Sequence, residues 1–315
     1  MLSEIRHQEA ATRFLRRVAS GALVSPLLLA GPSGVGKRHS LLCLMREILC
    51  TGTRAANCPC AGCYQVQRNL HSDIHVVTAD KHIDVKEIRA LIVEAHNCPS
   101  ASKFSVFILD GADRFTTEAA DALLKTLEEP PVTSRFFLLA EDLSRVPLTI
   151  RSRCGVVTYR RLPDDFILSI VQRSEEDPTK ALVYSRMGDG SAGRAIDYCN
   201  ASRLVLRDQV VKALHASVEK DLWAVFSLVD AMKKDLELAA QFMEQVIHDV
   251  LICGLDPLRA TNVDVTDTLV ALGAKVPMAA WVKLARKVGA LRDTANKVSV
   301  NLSFQFKTVL AESFV

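Results

Sequence analysis

The sequence has few features that would place it in a membrane or outside the cell. The longest apolar run near its start, residues 22–30, has about half the length needed to cross a bilayer. The first residues, Met1 to Arg6, carry charges where a signal peptide would have an apolar core. We therefore expect a cytoplasmic protein with no membrane partner. In that reducing compartment, nine cysteines favour metal binding or packing over disulfides.

A large excess of either charge is also missing. The net charge of +3 excludes a polycation, so any nucleic-acid contact has to come from a local patch or from a partner. The hydrophobic content of 49% is too high for a disordered chain. The length of 315 residues is that of two or three ordinary domains.

Short apolar runs alternate with amphipathic segments over the first 160 residues. The runs mostly lack polar alternation, which is typical of strands buried on both faces of a parallel sheet. They are Leu27–Ala30, Ile74–Val77, Ser105–Leu109, Phe136–Leu139 and Val156–Tyr159. Amphipathic stretches such as Ile83–Ala95 and Glu118–Glu129 lie between them. This alternation predicts an α/β domain with helices on both faces of the sheet.

After Pro163 the apolar residues recur at helical spacing, and no convincing strand is visible. Gly188–Ser191 predicts a turn between two helices. We predict three domains: an α/β core over residues 1–163, a small helical domain over 164–203 and a larger helical bundle over 204–315. Trp223 and Trp281 lie in the bundle and are predicted to be core or subunit-interface residues rather than platforms for bases.

A phosphate-binding-loop pattern, Gly31-Pro32-Ser33-Gly34-Val35-Gly36-Lys37, follows the first predicted strand and opens a helix. In this pattern the glycines let the backbone curl so that its N–H groups face phosphates. The helix N-terminus adds partial positive charge, and the lysine reaches the terminal phosphates. We predict a P-loop nucleotide cradle formed by Gly31, Gly34, Gly36 and Lys37. The alternative, a chance glycine-rich turn, is disfavoured by the strand–loop–helix context.

Two groups needed for ATP hydrolysis are missing from this cradle. The residue after the lysine should carry a hydroxyl that ligates Mg²⁺, but it is Arg38, which is always protonated and has no acceptor. The third predicted strand ends in Asp110, the place of a carboxylate that supports Mg²⁺. The next position, where an active enzyme has its water-activating glutamate, is Gly111. These losses predict a retained fold without hydrolysis, and leave open whether ATP and Mg²⁺ bind. The alternative is a working ATPase with unusual residues.

The segment from Asp110 to Pro131 and the triplet Ser152-Arg153-Cys154 resemble the AAA+ clamp-loader subunits of bacterial DNA polymerase III. The resemblance implies that Arg153 is an arginine finger, which reaches the phosphates of ATP on a neighbouring subunit. A planar, permanently charged guanidinium suits that role. Gly190–Ala195 is similar to the lid-domain motif of the family, and this likeness makes Arg194 a candidate second nucleotide sensor. The alternatives are a solvated or salt-bridged Arg153 and a packing role for Arg194.

The same resemblance implies an architecture and a set of partners. It implies an AAA+ α/β core, a helical lid and a helical collar, with five subunits joined through their collars in an open hetero-pentameric ring. The ring acts on a sliding clamp and on primer–template DNA, at the replisome. Arg38 and Gly111 depart from the motor subunits of the family and favour its delta-prime class, a stator-like subunit. The alternatives are an active motor subunit of the same clamp loader and a catalytically dead AAA+ adaptor outside replication.

Four cysteines fall within a short segment after the phosphate-loop helix: Cys50, Cys58, Cys60 and Cys63. Four thiolates within reach bind Zn²⁺ tetrahedrally and leave no open position, which predicts a structural site. The resembling family has a zinc module at this place, with a regular two-residue spacing. Here only Pro59 separates Cys58 from Cys60, so the Cys-Pro-Cys pair is a tight chelate. The alternative is that these cysteines pack in the core.

Overall fold

The chain divides into two compact units, Met1–Pro163 and Asp164–Val315. A computed structural model describes residues 1–21, 26–53, 55, 57–78, 82–295 and 302–314. Residues 22–25, which belong to the apolar run near the start, lie outside the described residues.

A five-stranded parallel sheet forms the centre of the first unit. Its strands are β1 Leu27–Ala30, β2 Ile74–Thr78, β3 Ser105–Asp110, β4 Ser134–Ala140 and β5 Gly155–Thr158. They lie in the order β2-β3-β4-β1-β5, and every neighbouring pair is parallel. The helices are α1 Glu9–Ala19, α2 Lys37–Leu49, α3 Ala61–Gln67, α4 Val85–Ala95, α5 Thr117–Glu128 and α6 Leu148–Arg151. The predicted α/β class with a parallel sheet is confirmed.

Both faces of the three central strands are buried, which explains why β1, β3 and β4 are apolar without alternation. Leu27 and Leu29 point to one face, where they join a core that includes Leu41 of α2. Leu28 points to the other face and packs with Leu123 of α5. Burying one such leucine stabilises the fold by about 1.5–3 kcal/mol. Because β1 lies beside β4, and β4 beside β3, the loops that follow these three strands meet at one edge of the sheet.

The second unit contains only helices among the residues described. They are α7 Asp164–Val171, α8 Pro178–Met187, α9 Ala192–Tyr198, α10 Ala201–Val218, α11 Leu222–Ala231, α12 Leu236–Cys253, α13 Thr266–Lys275, α14 Met278–Ala295 and α15 Leu302–Glu312. Helix α12 is central and contacts α10, α13 and α14. Trp281 of α14 is 1% exposed. It is therefore a core residue, which is one of the two roles predicted for it, core or subunit interface.

Polar contacts tie α8 to the bundle that follows it. The Arg186 guanidinium donates hydrogen bonds to the carbonyl oxygens of Leu258 (2.9 Å) and Ala260 (2.6 Å). Within the bundle itself, the buried Arg207 of α10 donates hydrogen bonds to the Asp264 carboxylate at 2.6 and 2.8 Å. The predicted lid and collar therefore lie within one compact unit, and α10 begins before their predicted boundary at residue 204. Their separation into two domains stays a prediction.

Within the described ranges, no single helix is both long and apolar enough to cross a membrane. One bent pair, Val263–Lys275 with Met278–Leu291, meets the length and composition requirement when its members are taken together. Its members meet at 110°, and Leu272 and Leu284 of the pair are buried in the unit.

Candidate functional site

The loop between β1 and α2 has the backbone curl of a phosphate cradle. Gly31, Gly34 and Gly36 have φ angles of +152°, +71° and +100°, values that residues with a side chain rarely adopt. A Cβ at Gly31 would also lie 2.5 Å from the carbonyl oxygen of Tyr159. Gly36 is the N-cap of α2, so the unpaired N–H groups of the first helical turn face the loop.

The side chain of Lys37 closes this loop. Its ammonium donates hydrogen bonds to the carbonyl oxygens of Gly31 and Pro32, the latter at 2.8 Å. Lys37 is 8% exposed, and this burial lowers its pKa, while the negative charges of Glu141 and Asp110 oppose the shift. The ammonium therefore lies inside the curl, where the terminal phosphates of a nucleotide would bind.

Arg38 faces the carboxylate that ends β3. The Arg38 Nη1 atom lies 4.0 Å from Asp110 Oδ2, and both side chains are half exposed. An exposed pair of this kind contributes only about 0–1 kcal/mol to stability. The pair matters for metal binding, because the Asp110 carboxylate lies opposite a permanently charged guanidinium that has no lone pair to offer a metal ion.

The residue directly after Asp110 has no carboxylate, and the nearest one along the chain belongs to Asp113. Gly111 has a φ of +109° and no side chain. Asp113 is 8% exposed, and its Oδ2 accepts a hydrogen bond from the backbone N–H of Asp142 at 3.4 Å. The neighbouring Arg114 pairs with Glu141 at 3.2 Å. Asp113 and Arg114 thus connect the ends of β3 and β4, while the negative charge of Asp113 also acts on Lys37 of the phosphate loop.

Arg153 follows α6 and is held from three directions. Its Nε donates to Glu128 Oε1 at 2.7 Å, and its Nη2 bonds to the same oxygen. Its Nη1 donates to the carbonyl oxygen of Thr149 at 2.9 Å and approaches the Ser152 hydroxyl at 3.3 Å. The Arg153 side chain remains 29% exposed. The adjacent Cys154 is packed against the α5 side of the core, and burial raises the pKa of its thiol to about 12.

The four predicted metal ligands converge at the end of α2. All four sulfur atoms lie within 4.8 Å of one another, with Cys50 and Cys58 at 3.6 Å and Cys60 and Cys50 at 3.9 Å. A tetrahedral zinc with Zn–S bonds of about 2.3 Å requires S···S separations of about 3.8 Å. The single residue between Cys58 and Cys60 therefore does not keep both thiols from the cluster. These four cysteines are close enough to hold a metal ion.

Electrostatics in the cluster already favour a thiolate. The Cys63 backbone N–H, in the first turn of α3, lowers the pKa of Cys60 to about 5. Burial raises the pKa of Cys63 to about 12. A metal ion has to displace the proton of that thiol, which metal binding does in closed thiolate sites.

A second group of candidate metal ligands combines Glu4 with His39 and Cys43 of α2. Its carboxylate is already engaged, because Arg46 Nη1 donates to Glu4 Oε1 at 3.1 Å. Burial and the charge of Arg46 lower the pKa of His39. A neighbouring guanidinium disfavours a bound cation by charge repulsion, so this group is less suited to a metal than the four cysteines.

Arg194 belongs to the second unit, at the start of α9. Its Nη2 donates to the carbonyl oxygen of Asp189 at 3.3 Å and lies 3.7 Å from the Asp189 carboxylate. Its sensor role stays a prediction.

Residues 6–163, half of the chain, match the family described as DNA polymerase III, delta subunit. The chain belongs to the DNA polymerase III clamp-loader family. It is 34% identical over 196 residues to the gamma subunit of DNA polymerase III from Buchnera aphidicola subsp. Schizaphis graminum. It is 28% identical over 246 residues to the delta′ subunit from Escherichia coli.

This clamp-loader-family subunit spans different shares of its relatives. The Buchnera match covers 60% of the chain but 52% of the gamma subunit. The E. coli match covers 76% of the chain and 73% of the delta′ subunit. The tau subunit of Salmonella typhimurium, 26% identical, is covered over only 37% of its length.

The fold of this clamp-loader-family subunit is also found in a solved structure. A DNA polymerase III gamma subunit-related protein from Thermotoga maritima superposes with a TM-score of 0.54 at 16% identity. The likeness covers 96% of this chain and 97% of that chain. At this identity the likeness shows the fold alone.

Most residues of these sites are visible in the sequence, but some of their partners are not. The structure brings the loop glycines, Lys37, Arg38 and Asp110 to one edge of the sheet and gathers the four cysteines. It also adds Glu128 beside Arg153, a contact that the sequence did not indicate. The two residues are 25 positions apart, and no local pattern links them. The nucleotide, finger and zinc roles stay predictions.

Proposed function

We propose that this chain is a delta-prime-like subunit of a DNA polymerase III clamp loader. In this proposal it hydrolyses no ATP itself and supplies Arg153 to the ATP of a neighbouring subunit. The observation that carries the proposal is the 4.0 Å approach of Arg38 to Asp110, next to a Gly111 that has no carboxylate.

The loss of hydrolysis follows from the chemistry of this edge. Mg²⁺ needs oxygen ligands in an octahedral arrangement, and the position that would offer a hydroxyl presents a guanidinium. The attacking water also needs a base within hydrogen-bond reach. Gly111 offers none, and the nearest carboxylate, Asp113, is only 8% exposed. The loop amides and Lys37 would still hold the phosphates of a nucleotide, so binding without turnover is consistent with the proposal.

The trans role of Arg153 rests on charge and position. A guanidinium stabilises the charge that develops on a transferred phosphoryl group, and in phosphoryl-transfer enzymes this is worth about 10³–10⁵ in rate. Arg153 is partly exposed on a short turn after α6, which would let it reach a ligand held by another subunit. The arrangement supports a subunit that assists hydrolysis next door and performs none.

We also propose that the four cysteines bind a structural zinc. The sulfur separations of 3.6 and 3.9 Å agree with a tetrahedral site, and four thiolates leave no position for a substrate. Cys50 directly follows α2, and Cys63 lies in α3. The metal would join these two helices and order the segment between them.

The partners proposed are the motor and clamp-opening subunits of a hetero-pentameric ring, the sliding clamp and primer–template DNA.

An exposed apolar surface on the helical unit supports a protein partner. Trp223 is 84% exposed, and Leu222 and Phe226 on the same helix are 48% and 39% exposed. Tryptophan is enriched among the residues that dominate binding energy at protein interfaces, and phenylalanine is enriched at interfaces in general. This α11 surface, Leu222, Trp223 and Phe226, is our candidate for contact with the collar of a neighbouring subunit.

A second candidate function is that of a gamma- or tau-like motor subunit. The 34% identity to a gamma subunit favours it. Mg²⁺-dependent ATP hydrolysis by the purified chain separates the two candidates, because only a motor subunit needs a working site of its own.

The experiment is an ATPase assay of the chain alone and of a complex reconstituted with its motor and clamp-opening subunits. We expect no turnover by the chain alone. The complex should lose the turnover of the neighbouring site when Arg153→Ala is introduced, with assembly on gel filtration unchanged. Arg145→Ala, an exposed arginine close in sequence, is the matched control and should have no effect. Hydrolysis by the isolated chain, or a fully active Arg153→Ala complex, contradicts the proposal.

A further inference from the structure

Arg153 is bound by a carboxylate of its own chain. Glu128 ends α5, and its Oε1 accepts from both Nε and Nη2 of Arg153. The carbonyl oxygen of Thr149 accepts from Nη1 at 2.9 Å. Together these acceptors fix both the plane and the direction of the guanidinium. We infer that Glu128 is a positioning residue, which orients Arg153 for the ATP of the neighbouring subunit.

The inference rests on the proposed trans role of Arg153 and deepens it. A freely rotating arginine loses conformational entropy when it binds a phosphate, and this loss reduces the stabilisation that the arginine gives to the transition state. The contacts with Glu128 and Thr149 restrict the Arg153 side chain before it meets the phosphate. Such preorganisation raises the rate because the charged group needs no reorganisation during the reaction.

The strength of the Glu128–Arg153 ion pair determines whether Glu128 orients the guanidinium or keeps it away from the neighbouring ATP. Glu128 is 49% exposed and Arg153 is 29% exposed, and ion pairs at such a surface shift an equilibrium by no more than about fivefold. The attraction of a guanidinium to a nucleotide phosphate is a charge-assisted contact in a water-excluded interface and is far stronger. Glu128 therefore directs the guanidinium without withholding it.

The geometry of the pair leaves part of Arg153 available. A guanidinium has five N–H donors. Glu128 engages Nε and one N–H of Nη2, and Thr149 and Ser152 lie beside Nη1. One N–H of Nη2 remains for a phosphate oxygen, at the tip of the side chain.

The test measures the Arg153-dependent part of ATP turnover in the complex reconstituted with motor subunits. This part is the difference between the unchanged complex and the Arg153→Ala complex. We expect Glu128→Ala to lower it about two- to fivefold in kcat, with the KM for ATP changed less than twofold. Glu128→Gln keeps an oxygen that accepts from Nε and Nη2, so it should retain most of this turnover. Glu129→Ala, an adjacent exposed carboxylate, is the matched control and should leave turnover unchanged.

The double variant Glu128→Ala/Arg153→Ala should be no slower than Arg153→Ala alone, because the first residue acts through the second. Thermal unfolding and gel filtration of each variant establish that the fold and the assembly are intact. If Arg153→Ala lowers turnover and Glu128→Ala does not, the positioning role is overturned while the proposed function stands. A faster Glu128→Ala complex, or a Glu128→Gln complex as slow as Glu128→Ala, also overturns it. If Arg153→Ala itself has no effect, it is the proposed function that fails.

Discussion

The guanidinium of Arg38 lies 4.0 Å from the carboxylate of Asp110, at the edge of the sheet where the phosphate loop opens. In a hydrolysing P-loop protein these two positions provide a hydroxyl and a carboxylate around Mg²⁺. Here they provide a cation and an anion that face each other. The pair is the basis for our proposal that the chain keeps the shape of the cradle without hydrolysing ATP.

Replacing Arg38 should therefore change metal dependence before it changes catalysis. We expect Arg38→Thr to bind ATP several-fold more tightly with Mg²⁺ than with EDTA, because Asp110 and the new hydroxyl then face a vacant cation position. Phosphate release should stay at background, since Gly111 provides no base. Fluorescent-nucleotide titration and a phosphate-release assay measure the two quantities. Arg13→Thr, an exposed arginine on α1, is the control. Mg²⁺-independent binding by Arg38→Thr would contradict this account of the site.

The cysteine cluster should contain one zinc ion per chain. We expect Cys58→Ser to lower the zinc content strongly, because a hydroxyl is a poor ligand in a thiolate site. The loss should lower the thermal unfolding temperature by several degrees. Zinc content measured by mass spectrometry, together with calorimetry, tests both effects. Cys98→Ser removes an exposed free thiol and should change neither quantity. A Cys58→Ser protein with its full zinc content would refute the assigned ligand set.

Asp73 should control the acid stability of the first unit. Its carboxylate accepts hydrogen bonds of 2.7–2.9 Å from the backbone of Ser100, Ala101 and Ser102 and from the Ser100 hydroxyl. Burial raises the pKa of Asp73, but the hydrogen bonds from these serines and from the Ala101 N–H outweigh it and hold the pKa well below its usual range. The resulting stabilisation is present above the unfolded pKa of about 4 and is lost as the pH falls through the lower folded pKa.

We therefore expect Asp73→Asn to lower the free energy of unfolding by about 2–4 kcal/mol at pH 7, since an amide NH₂ would face N–H donors. The difference from the unchanged protein should shrink below about pH 4. Urea unfolding at pH 7 and pH 3 measures it. Asp121→Asn, on the exposed side of α5, serves as the control. An equal difference at both pH values would exclude the charged carboxylate as the cause.

The α11 surface should contribute to assembly. We expect Trp223→Ala to weaken binding to the other clamp-loader subunits by about thirtyfold, the effect of removing an interface residue worth 2 kcal/mol. Surface plasmon resonance with those subunits measures the affinity. Val93→Ala, at an exposed apolar position of α4, is the comparison. Equal affinities for the Trp223→Ala and unchanged proteins would exclude this surface from the interface.

The sequence predicted the sheet well because its three central strands, β1, β3 and β4, are buried on both faces. Leu27–Ala30 coincides with β1, and the other four predicted runs differ from the observed strands by one or two residues at their ends. The predicted helix at Ile83 begins instead at Val85, since Ile83 pairs with Phe115 as an isolated bridge. Loop glycines and clustered cysteines are local signals, so those sites were visible as well.

Contacts between distant segments were not predictable in this way. The hydrogen bonds of Asp73 to residues 100–102, and those of Arg153 to Glu128, join positions more than 20 residues apart. Hydrophobic periodicity places a residue on a face but does not choose its partner across a loop. The exposure of Trp223 and the burial of Trp281 were likewise indistinguishable from composition alone.

Helix α2 runs without a break from Lys37, inside the phosphate loop, to Leu49, next to the first ligand of the cysteine cluster. Its 13 residues form a helix about 20 Å long, and its central leucines are packed in the core. The two ends cannot tilt independently of each other. The distance between Lys37 and the cysteine cluster is therefore fixed by the length of one helix.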